Sequence, residues 1–206
     1  MSDAAYRCGS RDYLVRARTR LDENSKQGLF YAAFELRCGI EARLQEYLEV
    51  QEHLSKRRKE GWRIAELSKN LKRAFDDGDQ ILEIVFRDVE GSNSVACYYT
   101  PVTTSLKKKG QQLGKYLHPM KEHKPAEHEW WKTLQDLLEA TYQELKTATT
   151  GTLLGPPLLD PQNQTRLNIE LGYDEGRDEI IRMLGHKAKL GKMKVNFLKT
   201  LPQVPR

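Results

Sequence analysis

Apolar residues recur with helical spacing over most of the first 150 positions, gather with β-branched and aromatic residues in two short stretches, and alternate with polar ones in a third. Leu14, Ala17 and Leu21 share one face of a first helix running from a cap at Ser10 to about Glu23. Arg11, Arg16, Arg18 and Arg20 are spread around the remainder and read as a solvated face rather than a polyanion-binding one. A second helix extends from about Gln27 to beyond Glu52. At about 100° per residue, Phe30, Ala33, Phe34, Ile40, Leu44, Tyr47 and Leu48 fall in one broad sector. Glu35, Gln45, Glu46, Glu49 and His53 fall largely opposite, so this helix is expected to be the core-facing spine of a bundle. Ile64, Leu67, Leu71 and Phe75 predict a third helix beginning at Trp62, which Asp76-Asp77-Gly78-Asp79 ends.

Gln80–Val89 and Ser94–Val102 are rich in β-branched and aromatic residues, and Glu90-Gly91-Ser92-Asn93 between them predicts a hairpin loop. Thr103–Leu117 reads as a shorter helix weakened by Gly110 and Gly114. The last clear helix begins near Glu127, with Trp130/Trp131, Leu134, Leu137/Leu138, Thr141 and Leu145 as its core face. Arg166–Tyr173 alternates apolar with polar and is expected to join the hairpin as a third strand, followed by a short helix around Asp178–Leu184. The fold class is therefore mainly α (α+β): an antiparallel helical bundle with an inserted β-hairpin and a C-terminal strand forming a small antiparallel sheet. Residues 1–147 form the bundle, with the hairpin at about 80–102, and the glycines and prolines of 148–164 make a linker. Residues 165–206 supply the C-terminal strand, the short helix and a basic tail. Removing the chain from Gly191 onward is expected to leave the helical core folded and to weaken polyanion binding.

Composition narrows the setting more than the chemistry. The 206 residues are 38% hydrophobic and 31% charged, polar for a globular chain, yet the apolar positions are clustered and periodic. Three widely separated cysteines, Cys8, Cys38 and Cys97, form neither a metal spacing nor a disulfide framework, which predicts a reducing cytoplasm. No stretch approaches the roughly 20 apolar residues of a membrane span, and the N-terminal segment has no secretory h-region. No membrane partner is expected. The net charge of +5 favours encounter with polyanions. Candidate nucleic-acid contacts are Lys56-Arg57-Arg58-Lys59, Lys107-Lys108-Lys109, and Lys187, Lys189, Lys192 and Lys194 of the tail.

Arg37 and Glu41 stand near the middle of the apolar sector of the second helix, spaced i,i+4, so that their side chains meet on adjacent turns. A buried charge needs a partner, which makes them first a fold-specifying pair, and a polar site if His118 comes to meet them. His118, His123 and His128 are spaced by five and interrupted by Pro119 and Pro125, so no metal and no cofactor are predicted. Zinc-protease, P-loop, dinucleotide-glycine and nucleophile-elbow patterns are absent from the sequence.

Phe30-Tyr31-Ala32-Ala33-Phe34-Glu35-Leu36-Arg37, Gly39-Ile40-Glu41-Ala42-Arg43-Leu44 and Leu113-Gly114-Lys115-Tyr116-Leu117-His118 resemble HEPN-type helical domains of prokaryotes, over roughly Ser10–Leu145. The resemblance implies an antiparallel bundle, a homodimer or another protein partner, RNA contacts, and a role in toxin–antitoxin or antiviral defence systems. It also implies metal-independent RNA cleavage where Arg-x(4–6)-His is present. Here His118 is preceded at short range only by Lys115, and Arg182-Met183-Leu184-Gly185-His186 has three intervening residues. The expected function is thus a non-catalytic or degenerate HEPN-like module. The alternative is a ribonuclease assembling Arg37, Glu41 and His118 across the bundle.

Overall fold

Helix α1 (Ser10–Asp22) opens on Gly9, not Ser10: the Asp12 carboxylate, three residues on, accepts the Gly9 amide at 3.1 Å. Ser10 instead lies buried in the first turn with its hydroxyl directed at α2 (Lys26–Glu49). Between the two helices Asn24 takes φ 47°, a left-handed conformation that Asn tolerates better than most residues. The Ser25 hydroxyl then accepts the Gly28 amide at 2.9 Å and starts α2. The computed structural model describes residues 7–50, 64, 66–67, 79–88, 94–119, 122–155, 158–159, 166–167 and 190–202.

The buried face of α2 is rotated by roughly a quarter turn from the sector that hydrophobicity alone selects. Leu29, Ala32, Leu36, Gly39, Ile40, Arg43 and Tyr47 run along its centre, whereas Phe34 is 48% exposed and Phe30 half-buried. Small residues cause the shift. A Cβ on Gly39 would stand 2.8 Å from Leu145 Cδ2 and 3.2 Å from Tyr13 Cβ, so three helices converge where a side chain has no room. Glu35, expected on the polar side, is buried against Arg16, whose Nε donates to it at 2.9 Å. Arg37 and Glu41 lie half-buried at the margin of the buried face, not in its middle.

Helix α3 (Thr104–Leu113) is capped by the Thr103 hydroxyl, buries Leu106, Gly110 and Leu113, and runs into a 3₁₀ turn, Gly114–Leu117. Helix α4 (Glu129–Thr150) buries Leu134, Leu138, Thr141, Leu145 and Ala148, spaced by three and four. Trp130 and Trp131 are only half-buried, so the core face of α4 begins one turn later than their hydrophobicity suggests. Ile64, Glu66 and Leu67 are helical, with Ile64 and Leu67 buried. The rest of the expected third helix, the basic tetrad Lys56–Lys59, and the short helix at 178–184 with Lys187 and Lys189 lie outside the described residues.

A buried polar network ties the ends of α1 and α4 to α2. Arg43, 3% exposed, donates through Nε to the Ala148 carbonyl at 2.9 Å and through Nη1 to Glu46 at 3.0 Å. Its guanidinium lies 4.5 Å from the Tyr47 ring centroid, and the Tyr47 hydroxyl donates to the same carbonyl at 3.3 Å. The Glu46 carboxylate accepts the Ser10 amide at 2.7 Å and the Ser10 hydroxyl at 2.9 Å. An anion thus meets the first turn of α1 and a cation the last turn of α4, the signs that the unpaired groups at helix ends prefer. Burial works against the charge on Arg43, but Tyr47 and Glu46 outweigh it and its pKa stays above the ordinary value.

The chain divides into two units, Met1–Leu71 with Val102–Thr149 and Lys72–Pro101 with Thr150–Arg206. The second holds an antiparallel sheet of β1 (Ile81–Asp88), β2 (Ser94–Tyr99) and β5 (Leu190–Leu198) in the order β2-β1-β5. Its third strand is therefore the segment read as a basic tail; of Arg166–Tyr173 only the first two residues are among those described. Arg166–Leu167 is a short strand, β4, paired with β3 (Leu158–Leu159). The segment read as a linker begins inside α4, and its next residues are pinned to β2. The Gly151 amide donates to the Thr100 hydroxyl at 3.0 Å, the Thr152 hydroxyl accepts the Tyr98 amide at 3.1 Å, and the Leu153 amide donates to the Tyr98 carbonyl at 3.0 Å. Leu82, Ile84 and Phe86 of β1, with Cys97 and Tyr99 of β2, form the buried face of the sheet. On the other face Glu83 accepts from the Tyr98 hydroxyl at 2.8 Å and from the Asn196 side-chain amide at 2.6 Å, linking all three strands.

Arg43→Met should lower unfolding free energy by about 3 kcal/mol in urea titration, because it removes the charged donor from the Ala148 carbonyl and the cation that faces Glu46. Arg37→Met, at a half-exposed pair, should cost less than about 1 kcal/mol. Deleting the chain from Gly191 removes β5 and leaves β1 with a single partner. A two-stranded hairpin is marginal, so amide exchange in Ile81–Tyr99 should accelerate sharply while the helical amides keep their protection.

Candidate functional site

Phe30, Phe34, Arg37 and Glu41 follow one another on the same margin of α2, spaced by four, three and four residues. This line runs beside the 3₁₀ turn. Arg37 Nη1 lies where a Cβ on Gly114 would stand, 2.1 Å from that position, so Gly114 is required for the guanidinium to rest on the turn. The Arg37 Nε donates to Glu41 at 3.1 Å. Burial raises the Glu41 carboxyl above its ordinary pKa, and Arg37 only partly pulls it back. Cys38, on the same helix, has its thiol pushed up to about 11 by burial, with Glu41 and Glu35 adding to the effect, which removes it as a nucleophile at neutral pH.

At the Phe30 end of this line the 3₁₀ turn and the chain following it open a cleft of about 760 Å³. Phe30, Tyr116, His118, Pro119 and Trp130 line it together with Lys115, Glu122 and Lys124. Its aromatic wall is ordered by mutual packing. Trp130 lies 5.6 Å from Tyr116, 6.3 Å from Phe30 and 4.8 Å, edge to face, from Trp131. Trp131 in turn donates its indole N–H to the Pro125 carbonyl at 3.0 Å and lies 4.9 Å from the Lys26 ammonium. His128 Nδ1 accepts the Trp130 amide at 3.1 Å, which caps the start of α4. Lys124 donates to Glu122 at 2.7 Å, and this holds the exposed Glu122 carboxyl below its ordinary range.

His118 therefore sits, exposed, in a cleft with Lys115, while Arg37 and Glu41 are paired on the seam beside it. No hydrogen bond or ion pair among the described residues joins His118 to either of them. Two further groups of candidate contacts stand on other elements. Lys109 donates to Glu144 and Ser105, and Lys108 is exposed on α3 next to it, while Lys107 is half-buried. Lys192 and Lys194 belong to β5, where Lys194 is exposed. The arginines of α1 are committed to carboxylates and carbonyls: Arg11 to the Thr149 carbonyl, Arg16 to Glu35, Arg18 to Asp22 and Glu139, and Arg20 to Glu23. Among the described residues no group of three His, Cys, Asp or Glu is arranged to hold a metal ion, and no helix is long and apolar enough to cross a membrane.

Hydrophobicity alone places Trp130, Trp131 and Phe30 in the core, and so conceals the aromatic wall. The signal that could have found it is Leu113–His118, where a glycine followed by Lys, Tyr and His ends a helix opposite two adjacent tryptophans.

The raised Glu41 carboxyl means that the folded chain keeps this proton to higher pH than the unfolded chain. Its contribution to stability accordingly falls as pH rises from the usual carboxylate range towards neutrality. The melting temperature of Glu41→Gln, relative to the parent protein, should therefore rise across that range in thermal melts. A falling difference would show that attraction to Arg37 outweighs burial. Comparison of the chain with protein-family models, with curated proteins and with solved structures returned no match.

Proposed function

We propose that the helical unit is a HEPN-like, non-catalytic binding module that takes single-stranded RNA at the cleft beside the 3₁₀ turn. The observation that carries this reading is the combination of Phe30, Tyr116 and Trp130 with the exposed Lys115 in one open cleft, beside a Lys124 that is paired with Glu122. Aromatic rings offer stacking surfaces to unpaired bases of any sequence, and ammonium groups neutralise the phosphates between them. A duplex keeps its bases stacked inside and would gain only the charge. The net charge of +5 assists encounter. The HEPN-like resemblance is what suggests a prokaryotic accessory or defence system as the setting.

His118 gives metal-independent cleavage a specific claim as the second reading, because an exposed imidazole shares the cleft with Lys115. In that chemistry the imidazole takes the proton from a ribose 2′-hydroxyl as its oxygen attacks the adjacent phosphorus, the P–O5′ bond breaks to leave a 2′,3′-cyclic phosphate, the departing 5′-oxygen takes a proton from water, and a nearby cation supports the phosphate oxygens. Arg37 is absent from the residues lining the cleft, which favours binding over cleavage.

Fluorescence anisotropy with labelled single-stranded RNA, matched duplex and heparin, each across a salt series in chelator, separates these readings. Single-stranded RNA should bind more tightly than duplex, and Tyr116→Ala should weaken it by about 1–3 kcal/mol. Lys115→Ala should reduce the salt slope by about one. Equal binding of heparin and RNA, untouched by both substitutions, would reject the cleft as the site. RNA cleavage lost in both His118→Ala and Arg37→Ala would replace the binding reading with the catalytic one.

A further inference from the structure

Strand β5 lies at one edge of the sheet, and among the described residues no strand pairs with its other side. Its register opposes Met193, Val195 and Phe197 to Phe86, Ile84 and Leu82 of β1, so these three side chains share the buried face of that strand. The β1 residues are at most 2% exposed, yet Met193 is 43% and Phe197 58% exposed. The apolar face of the sheet thus continues past β1 and ends in water, on a nine-residue strand of the kind that templates further pairing.

We propose that a second copy of this chain covers the edge, β5 pairing antiparallel with β5 about a two-fold axis at Val195 to give a six-stranded sheet. The side chains of β5 select that register. A two-fold axis perpendicular to the sheet keeps each face on its own side, so odd-numbered residues oppose odd-numbered ones. An axis at Lys194 would set two ammonium groups directly opposite each other, which is unfavourable. An axis at Asn196 would set Met193 against the charged Lys199. The axis at Val195 places Met193 against Phe197 of the partner subunit and Phe197 against Met193 of the partner subunit, joining the exposed large apolar side chains of the strand. It also places Lys194 against Asn196 of the partner subunit, so the edge lysine that ordinarily deters pairing meets a neutral amide. Glu83 already holds that Asn196 amide on the polar face at 2.6 Å.

The full chain should sediment as a dimer at about 100 μM, a concentration at which even a weak specific contact is populated. Phe197→Lys, at an exposed position, should raise the dimer Kd by about tenfold or more while leaving the circular dichroism spectrum unchanged. In a Cys8→Ser background, mild oxidation should cross-link Val195→Cys into a covalent dimer and leave Lys194→Cys monomeric on non-reducing gels. A chain that is monomeric at that concentration overturns the proposal and leaves the edge to a partner of different sequence. A dimer indifferent to Phe197→Lys places the contact elsewhere, and cross-linking through Lys194→Cys instead of Val195→Cys rejects the register.

Discussion

Arg43 carries its charge into a part of the helical unit that water does not reach, and two helix ends supply what water would have given it. The Ala148 carbonyl belongs to the last turn of α4, where carbonyls lack amide partners, and Glu46 answers the first turn of α1, where amides lack carbonyls. One ion pair on α2 therefore satisfies the open ends of two other helices. The gain depends on all members being present, since each isolated group would be a buried polar atom without compensation. Gly39, one turn before Arg43, lets α1 and α4 come close enough for this to happen.

The rotation of α2 follows from that constraint and has a consequence for the outer surface. With Ala32, Gly39 and Arg43 turned inward, Phe30, Phe34 and the Arg37–Glu41 pair are left along the margin. Arg37 then lies against Gly114 at the start of the 3₁₀ turn, while Phe30 becomes one wall of the cleft that the turn opens. The pair is half-exposed, so its energetic contribution is modest and its position is what matters. The same rotation assigns Glu35 to the core side, where Arg16 meets it.

In the second unit the polar face of the sheet is organised by Glu83, which gathers a Tyr98 hydroxyl and an Asn196 amide from the two neighbouring strands. Burial raises the Tyr98 hydroxyl to about 12, with Glu83 adding to the shift, so this group stays a neutral donor at any physiological pH. The period-two pattern of β5 was present in the sequence, with Met193, Val195 and Phe197 interleaved with Lys194 and Asn196. Its lysines and lack of acidic residues drew the segment towards a solvated tail. Charge on one face of a strand, however, is compatible with burial or pairing of the other.

By itself the sequence determined where helices α1, α2, α3 and α4 and the β1–β2 hairpin form, because periodicity, caps and turn residues are local and act through the chain's own backbone. It also determined that Arg37 and Glu41 would pair, since i,i+4 neighbours meet on any helix. Only the tertiary structure decided which side of α2 faces inward, that Arg43 rather than Arg37 is the buried charge, and that β5 is the strand that pairs with the free side of β1. A helical period identifies a stripe by counting large apolar residues, but the line along which helices touch is set by where their backbones can approach. That line runs through Ala32 and Gly39, residues too small to register in such a count. Strand partnership is likewise non-local, and two segments with the same alternation are told apart only by the register each can make with β1.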